Sequence, residues 1–292
     1  MKKILVLFFF VGLLHADIFA PSLGILYNEA KANLGKKIFF DNRLGANENK
    51  SCETCHNLYW DFSGTIRTNL QNNKINPPSI LNTALNYIFF RNGDHRNIYD
   101  QVLKSVTSKH ELGVDKNEII TKISNVNEYR IAFLKIYKDG VTFENIVDVL
   151  VEFERAVLSV NSPFDRFLMG DSNALSEEEK IGFELFKNIG CVACHNGINL
   201  GGNLMQNIGA YEEIFSNMDS SRIFKEQIYK VPSLRNIART APYMSDGSIL
   251  YLKDAITHIV NLQSTHNIDK KDVDLLYKFL LSLNGEYPRI LK

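Results

Sequence analysis

The chain carries Cys191-Val192-Ala193-Cys194-His195, and an earlier stretch, Cys52-Glu53-Thr54-Cys55-His56, repeats its pattern. Cys-x-x-Cys-His is the pattern of c-type haem attachment, in which two thiols about one helical turn apart bind the two vinyl groups of one haem. The histidine that follows offers an imidazole nitrogen to the iron as its proximal ligand. Two copies therefore predict two covalently attached haems, with His56 and His195 as proximal ligands.

Two other roles for the cysteines stay open. The sequence has four cysteines, so both pairs could form disulfides, although a disulfide does not require a histidine after each pair. A four-cysteine zinc site usually has its two pairs roughly 15–20 residues apart, whereas these pairs lie far apart in the sequence. We therefore favour two haems over disulfides or a metal ion.

The first residues are typical of an export signal. Met1-Lys2-Lys3 is basic, an apolar run extends from Ile4 to Leu14, and the small residue Ala16 follows. This order is typical of a secretory signal peptide, and the run is short for a transmembrane helix. We expect residues 1–16 to be removed and the mature protein to lie in the periplasm, without stable membrane insertion. An uncleaved anchor is the alternative.

The charge of the mature chain is nearly balanced. The sequence has 33 basic and 33 acidic residues, and loss of Lys2 and Lys3 would leave 31 − 33 = −2. Such a balance predicts no nucleic-acid partner. A length of roughly 275 residues suggests one or two domains, and the repeated haem motif favours two.

Helical periodicity dominates the sequence, so the predicted fold class is mainly α. Loop is expected at 41–50, 57–76 and 197–209, and no strand pair has a convincing hairpin signature. Helices are predicted at residues 29–40, 115–123, 128–138, 142–160, 176–186, 251–262 and 270–283.

The domain boundary is predicted near Ser162-Pro163, because the residue before a proline disfavours the helical conformation. Residues 17–163 would form an N-terminal domain with the first haem motif, and residues 164–292 a C-terminal domain with the second. We expect two cytochrome c-like haem domains packed around an inter-domain interface.

The sixth ligand of each iron determines what the haem does, because methionine or histidine there suits electron transfer and an open position suits binding of a small oxidant. Met205, Met218 and Met244 follow the second motif, and Met244 lies in a turn suited to presenting one side chain. For each of them a buried core methionine is the alternative. For the first haem, His95 and His110 are candidates, although a lone histidine is more often a surface or packing residue.

Gln101 and Glu111 lie in the same region as these histidines. Peroxide cleavage needs a carboxylate that moves a proton between the two oxygens and a neutral donor that holds the bound oxygen. Taken alone, this pair is weak evidence for peroxide cleavage, because such residues usually lie on solvated helix faces.

Strings on both sides of both haem motifs make the chain resemble the bacterial di-haem cytochrome c peroxidases. They are Leu34-Gly35-Lys36-Lys37-Ile38-Phe39-Phe40-Asp41, Asn76-Pro77-Pro78-Ser79-Ile80-Leu81-Asn82, Ser162-Pro163-Phe164-Asp165-Arg166-Phe167 with Gly170-Asp171, Val231-Pro232-Ser233-Leu234-Arg235-Asn236, and Ala241-Pro242-Tyr243-Met244-Ser245-Asp246-Gly247.

The resemblance implies different roles for the two haems. The haem of Cys52, Cys55 and His56 would be peroxidatic and of low potential. The haem of Cys191, Cys194 and His195 would be the high-potential electron-transfer haem, with Met244 as its sixth ligand. Asn76 matches the family's side-chain ligand for one calcium ion between the domains.

The resemblance also implies the catalytic pair. Phe90-Arg91-Asn92-Gly93 aligns with a glycine motif of the family, and in that register Gln101 and Glu111 fall on its distal glutamine and acid/base glutamate. The chain departs from the family twice. Residues 57–76 contain no histidine to cap the peroxidatic iron, and Arg91 stands where the family has a tryptophan between the haems. Trp60, Phe89 and Phe90 are the candidates to replace that tryptophan.

We therefore expect a peroxidase that reduces hydrogen peroxide to water with electrons from a small periplasmic donor such as cytochrome c. One alternative is a di-haem oxidase of a protein substrate, although the relative that matures a tryptophan-derived quinone has tyrosine in place of Met244. Another is a non-catalytic electron carrier with His95 or His110 as the extra ligand. A homodimer is expected only by analogy with the family.

Overall fold

The computed structural model describes residues 18–46, 48–59, 62, 64, 67–68, 74–109, 111–207, 228–264 and 266–292. The predicted signal peptide lies outside these residues, as do Trp60, His110 and Met218. Within the described residues, no helix is both long and apolar enough to cross a membrane.

The described fold is mainly helical, which confirms the predicted class. Its α-helices are α1 (Glu29–Phe39), α2 (Ile98–Val106), α3 (Lys116–Asn125), α4 (Asn127–Ile136), α5 (Phe143–Ala156), α6 (Pro163–Leu168), α7 (Glu177–Asn188), α8 (Leu252–Gln263) and α9 (Lys270–Leu281). Helices α2 and α6 were not predicted, and α5 ends four residues before the predicted end at residue 160.

Several helices begin where the sequence supplies a cap. Ser176 and Glu179 form a reciprocal capping box at the start of α7, at the predicted beginning of the helix at 176–186. The Asp115 carboxylate accepts from the backbone N–H of Glu118 at 2.9 Å, and Thr142 caps α5 in the same way. These side chains satisfy N–H groups that the first turn of a helix leaves without partners.

Two short antiparallel ribbons contradict the expectation that no hairpin forms. Strand β1 (Arg67–Thr68) pairs with β2 (Lys74–Ile75), and β3 (Met205–Asn207) pairs with β4 (Ile228–Lys230). Strands of two or three residues are too short to show the alternation from which strands are recognised. The second ribbon also joins segments about 20 residues apart.

The apolar core consists of two clusters, each built on a close crossing of two helices. In the first, α1 crosses α5, and a Cβ atom at Gly35 would lie 1.9 Å from the carbonyl oxygen of Val149. In the second, α7 crosses α9, and a Cβ at Gly182 would lie 2.1 Å from the carbonyl oxygen of Leu275. Only glycine permits such an approach of two backbones.

Residues near each end of the described chain pack in the cluster formed by the other half of the sequence. Phe19 lies in the second cluster, edge-on to Phe164 at 5.7 Å, and Ile290 and Leu291 lie in the first. We call residues 18–163 the first half and 164–292 the second half. The two halves are therefore joined by both termini as well as by the chain between them.

Candidate functional site

The first Cys-x-x-Cys-His turn opens onto a cavity of about 230 Å³. Cys52, Cys55 and His56 line it, and so do Gln101 and Glu111. Helix α2 presents Gln101, and the turn that follows α2 presents Glu111. The three residues of the predicted haem attachment motif and the predicted catalytic pair therefore line one cavity, which we call the first site.

His56 is oriented by one backbone carbonyl. Its Nδ1 lies 2.9 Å from the carbonyl oxygen of Pro78, which makes Nδ1–H the donor and leaves Nε2 as the nitrogen able to bind a metal. Burial lowers the pKa of His56, and the Pro78 carbonyl partly opposes this shift. A neutral imidazole held by its other nitrogen is the usual form of a metal-binding histidine.

Gln101 and Glu111 share a contact with one serine. Burial raises the pKa of Glu111, and hydrogen bonds with Ser105 and Ser108 partly offset the shift. Gln101 Nε2 lies 3.4 Å from Ser105 Oγ, whereas its buried Oε1 has no partner among the described residues. The first site thus holds an acid that retains its proton more readily than an exposed glutamate, beside an amide with an unused acceptor.

Glu154, which the sequence analysis overlooked, lines the same cavity. It is 7% exposed, and its Oε2 has no hydrogen-bond partner in the described structure. Burial, and then repulsion from Glu111, raise the pKa of Glu154 to about 8. The sequence held a signal for it: Glu154 follows the apolar Leu150 by four residues on α5, so both lie on one helix face.

The second Cys-x-x-Cys-His turn follows α7 directly. His195 Nδ1 lies 3.1 Å from the carbonyl oxygen of Leu200, and the carbonyl of Pro232 also bonds to its ring. Burial lowers the pKa of His195. Cys191 and Cys194, like the other two cysteines, are free thiols. Among the described residues, no group of three or more Cys, His, Asp or Glu is arranged to hold a metal ion without haem.

A segment that follows each Cys-x-x-Cys-His turn has the same order of short 3-10 helix, turn and bridge in both halves, although the Ala241–Pro242 peptide bond is cis in the second half alone of the two aligned segments. Residues 78–106 align without a gap with residues 232–260. Asn82 and Asn236 are both left-handed, with φ of 61° and 60°, and each begins a short 3-10 helix. The signal for this repeat was present in Pro78-Ser79-Ile80-Leu81-Asn82 and Pro232-Ser233-Leu234-Arg235-Asn236, but the sequence analysis did not compare them.

Met244 lies in a turn that Asn76 of the other half holds in place. The Asn76 backbone N–H donates to the Ser245 carbonyl at 2.9 Å. Asn76 Nδ2 donates to the carbonyls of Pro242 at 2.8 Å and Met244 at 3.0 Å. The predicted calcium residue and the predicted iron ligand are therefore neighbours in the structure.

The other candidate ligands have different neighbours. Met205 packs against Gly93 of the first half. The His95 ring lies edge-on to Phe90 at 5.2 Å, and His95 is not among the described residues that line the first site. The Arg91 guanidinium lies 4.5 Å from the centre of the Tyr229 ring, which makes a cation–π contact.

A mainly helical protein with two matched Cys-x-x-Cys-His turns, one facing a cavity with buried acids, belongs to the class of di-haem proteins. Residues 29–173 match the family model for di-haem cytochrome c peroxidase. The chain is 33% identical over 274 residues to cytochrome c551 peroxidase of Nitrosomonas europaea, covering 89% of this chain and 82% of the relative. The chain belongs to the di-haem cytochrome c peroxidase family, whose cofactor is haem.

The chain is also similar to proteins that are not named peroxidases. Methylamine utilization protein MauG of Methylophilus methylotrophus is 30% identical over 239 residues, covering 78% of this chain and 71% of the relative. The fold matches the crystal structure of a MauG-like protein associated with microbial copper homeostasis, with a TM-score of 0.74 at 24% identity over 89% of this chain and 91% of that chain.

Proposed function

We propose that the protein is a periplasmic di-haem peroxidase that reduces hydrogen peroxide to water with electrons from a small donor protein such as cytochrome c. One observation carries the proposal: the attachment turn of Cys52, Cys55 and His56 shares its buried cavity with Gln101 and Glu111. The cavity therefore brings the predicted haem attachment residues next to a carboxylate and a neutral donor, the two groups that peroxide cleavage requires. Electron transfer alone does not require the half-buried acid and amide that lie beside this attachment turn.

The residues of both sites fit c-type haem. Cys52 and Cys55 would attach the first haem and His56 would bind its iron; free thiols and an imidazole with an available Nε2 support this. The second haem would be held by Cys191, Cys194 and His195, with Met244 as the sixth ligand. Bound haem would supply the iron at which the peroxide bond is cleaved and through which electrons pass.

Glu111 and Gln101 would perform the proton chemistry. Glu111 would accept the proton of the oxygen that binds and deliver it to the oxygen that leaves, which becomes water. Its raised pKa supports this role, because a general acid–base group works best when its pKa lies near the ambient pH. The Gln101 side-chain N–H would hold the bound oxygen, and the apolar wall formed by Val102, Leu112 and Leu150 would limit entry of water.

We also propose one calcium ion at Asn76. Two carbonyl oxygens, of Pro242 and Met244, lie within 3.0 Å of its amide nitrogen. Amide and carbonyl oxygens are the hard ligands that calcium prefers, and the Asn76 amide can present its oxygen by a half-turn. The ion would stabilise the turn that presents Met244.

The remaining parts of the proposal rest on the sequence and the family. Residues 1–16 would direct export, residues 17–163 would form the peroxidatic domain, and residues 164–292 the electron-transfer domain. A homodimer is proposed by analogy only.

The function is tested with the Glu111→Gln variant of the haem-loaded protein. Glutamine keeps the size of the side chain but cannot transfer the proton, so peroxide turnover should fall by roughly 10²-fold or more while both haems remain attached. The control is Glu118→Gln on α3, which changes a half-buried carboxylate that does not line the first site. Turnover that survives Glu111→Gln unchanged would remove this residue from the mechanism.

A second candidate function is oxidation of a protein substrate, the alternative that the sequence left open; the similarity to a relative named methylamine utilization protein, and not peroxidase, keeps a second function in view. Under this alternative, peroxide would serve as oxidant and the electrons would come from the substrate protein. Steady consumption of peroxide with reduced cytochrome c favours the peroxidase. The non-catalytic carrier predicts instead two low-spin haems that do not react with peroxide or cyanide.

A further inference from the structure

The turn that contains Met244 has a close structural counterpart in the first half. Phe90 occupies the position of Met244 in the gap-free alignment, and both residues are left-handed, with φ of 56° and 67°. A left-handed backbone is uncommon for a side chain with a Cβ, and more so for a bulky one. A left-handed bulky residue at both matching positions indicates that the two turns have equivalent structures.

The surroundings of the two turns match as well. Residues on either side close each turn by an antiparallel bridge, Phe89 with His95 in the first half and Tyr243 with Ile249 in the second. Gly93 and Gly247 then follow at φ of 75° and 70°.

The two halves anchor each other's turns by equivalent backbone hydrogen bonds. The N–H of Asn76 donates to the Ser245 carbonyl at 2.9 Å, and the N–H of Lys230 donates to the Arg91 carbonyl at 2.8 Å. Each acceptor is the residue directly after Met244 or Phe90. The two turns therefore share an equivalent backbone anchor, to which the Asn76 side chain adds two hydrogen bonds in the second half, and they differ in the residue at the centre of the turn.

That difference is chemical. A methionine thioether has a sulfur lone pair that can bind haem iron, whereas a phenyl ring has no donor atom for it. Phe90 is not among the described residues that line the cavity, so its placement relative to the first haem rests on the equivalence of the two turns. We propose that Phe90 occupies the first-half counterpart of the ligand-presenting position of Met244 and leaves the sixth coordination position of the first haem open to a small oxidant. This inference rests on the proposed function, and it makes the residue at this turn the determinant of which haem reacts.

The test compares Phe90→Met with Phe90→Leu in the haem-loaded protein. Methionine and leucine differ little in volume, so the pair separates the sulfur from the loss of the ring. In Phe90→Met, the high-spin signal of the oxidised first haem should be replaced by a low-spin signal. Cyanide affinity should fall at least about tenfold, because cyanide binds only the fraction of molecules in which the position is open. Phe90→Leu should keep the high-spin signal and the affinity.

The result that overturns the inference is a Phe90→Met protein whose spin state and cyanide affinity equal those of Phe90→Leu. A reciprocal variant covers failure of Phe90→Met to fold. Met244→Phe should make the second haem high-spin and able to bind cyanide; a second haem that stays low-spin contradicts the equivalence of the turns. A wild-type protein whose haems both ignore peroxide would instead refute the proposed function, which keeps the two failures distinct.

Discussion

The two halves share a scaffold but differ in the residues that the scaffold presents. In both, a close helix crossing at a glycine, a Cys-x-x-Cys-His turn and a left-handed asparagine occur in the same order. The halves differ where the first site has polar side chains. Gln101 of α2 corresponds to Ala255 of α8, and Ser105 corresponds to Ile259.

Helices α5 and α9 also differ in polarity, with a polar residue in the first half and an apolar residue in the second. Because Gly35 meets Val149 and Gly182 meets Leu275, the crossings align these two helices, and Glu154 then corresponds to Leu280. Glu154 and Leu280 are both buried. Asp165 of the second half is also buried, but it pairs with Arg235, whereas Glu154 Oε2 has no hydrogen-bond partner in the described structure. A buried acid is costly unless it is paired or protonated, so Glu154 calls for a reason in function. The comparison teaches that, at matched positions, the first half has polar or acidic side chains where the second half has apolar ones, as the proposed proton transfer at the first site requires.

The largest effect is expected from variants at the close helix crossing, which both halves share. Gly35→Ala should lower the free energy of unfolding by about 3 kcal/mol or more, because overpacking costs about 1–3 kcal/mol and here the new Cβ meets backbone. Helix propensity alone predicts the opposite sign, a gain of up to about 1 kcal/mol. Gly182→Ala should behave alike, and denaturant unfolding of both variants measures it. A stabilised Gly35→Ala protein would contradict the equivalence of the crossings.

A smaller effect comes from making the first site resemble the second. Gln101→Ala should lower kcat/KM for peroxide by about tenfold or more, because removing a hydrogen-bond donor to the bound oxygen costs transition-state stabilisation. Asp100→Ala on the exposed face of α2 is the matched control. Equal kcat/KM values for the two variants would exclude Gln101 from oxygen binding.

The smallest effect concerns the pH dependence of stability. The pKa of Glu154 is about 8 in the folded protein and rises there from 4.5, so the folded state binds its proton more tightly than the unfolded chain does. This contribution to stability is present at low pH and is lost as the pH rises towards 8. Glu154→Gln should therefore gain stability relative to the wild type between pH 5 and pH 9, measured by thermal unfolding.

The control for this prediction lies on the same helix. The Glu152 carboxylate pairs with Arg155 at 3.1 Å and accepts from the backbone N–H of Asn28. Glu152→Gln should weaken these contacts at both pH values. A Glu154→Gln protein that shows the same offset from the wild type at pH 5 and pH 9 would mean that Glu154 is not held protonated.

The sequence predicted what depends on local signals. Ser176 with Glu179 identified the start of α7 because a capping box is contained within four residues. Glu154 was not recognised because an acid on an amphipathic helix normally faces solvent, and only the packing of α5 against the first site buries it. Two other features could not be predicted: the packing of Phe19 in the second cluster and of Ile290 in the first, and the pairing of β3 with β4. Both join residues distant in sequence, and no local sequence pattern predicts such contacts. The repeat of the two turns was readable but required comparison of the chain with itself.

The central claim is that the two irons differ in coordination, and the most direct measurement is electron spin resonance of the oxidised, haem-loaded protein before and after cyanide. The account predicts one low-spin haem that cyanide leaves unchanged and one high-spin haem that cyanide converts to low spin. Two low-spin signals that persist after cyanide, in the oxidised and in the half-reduced protein, would contradict it.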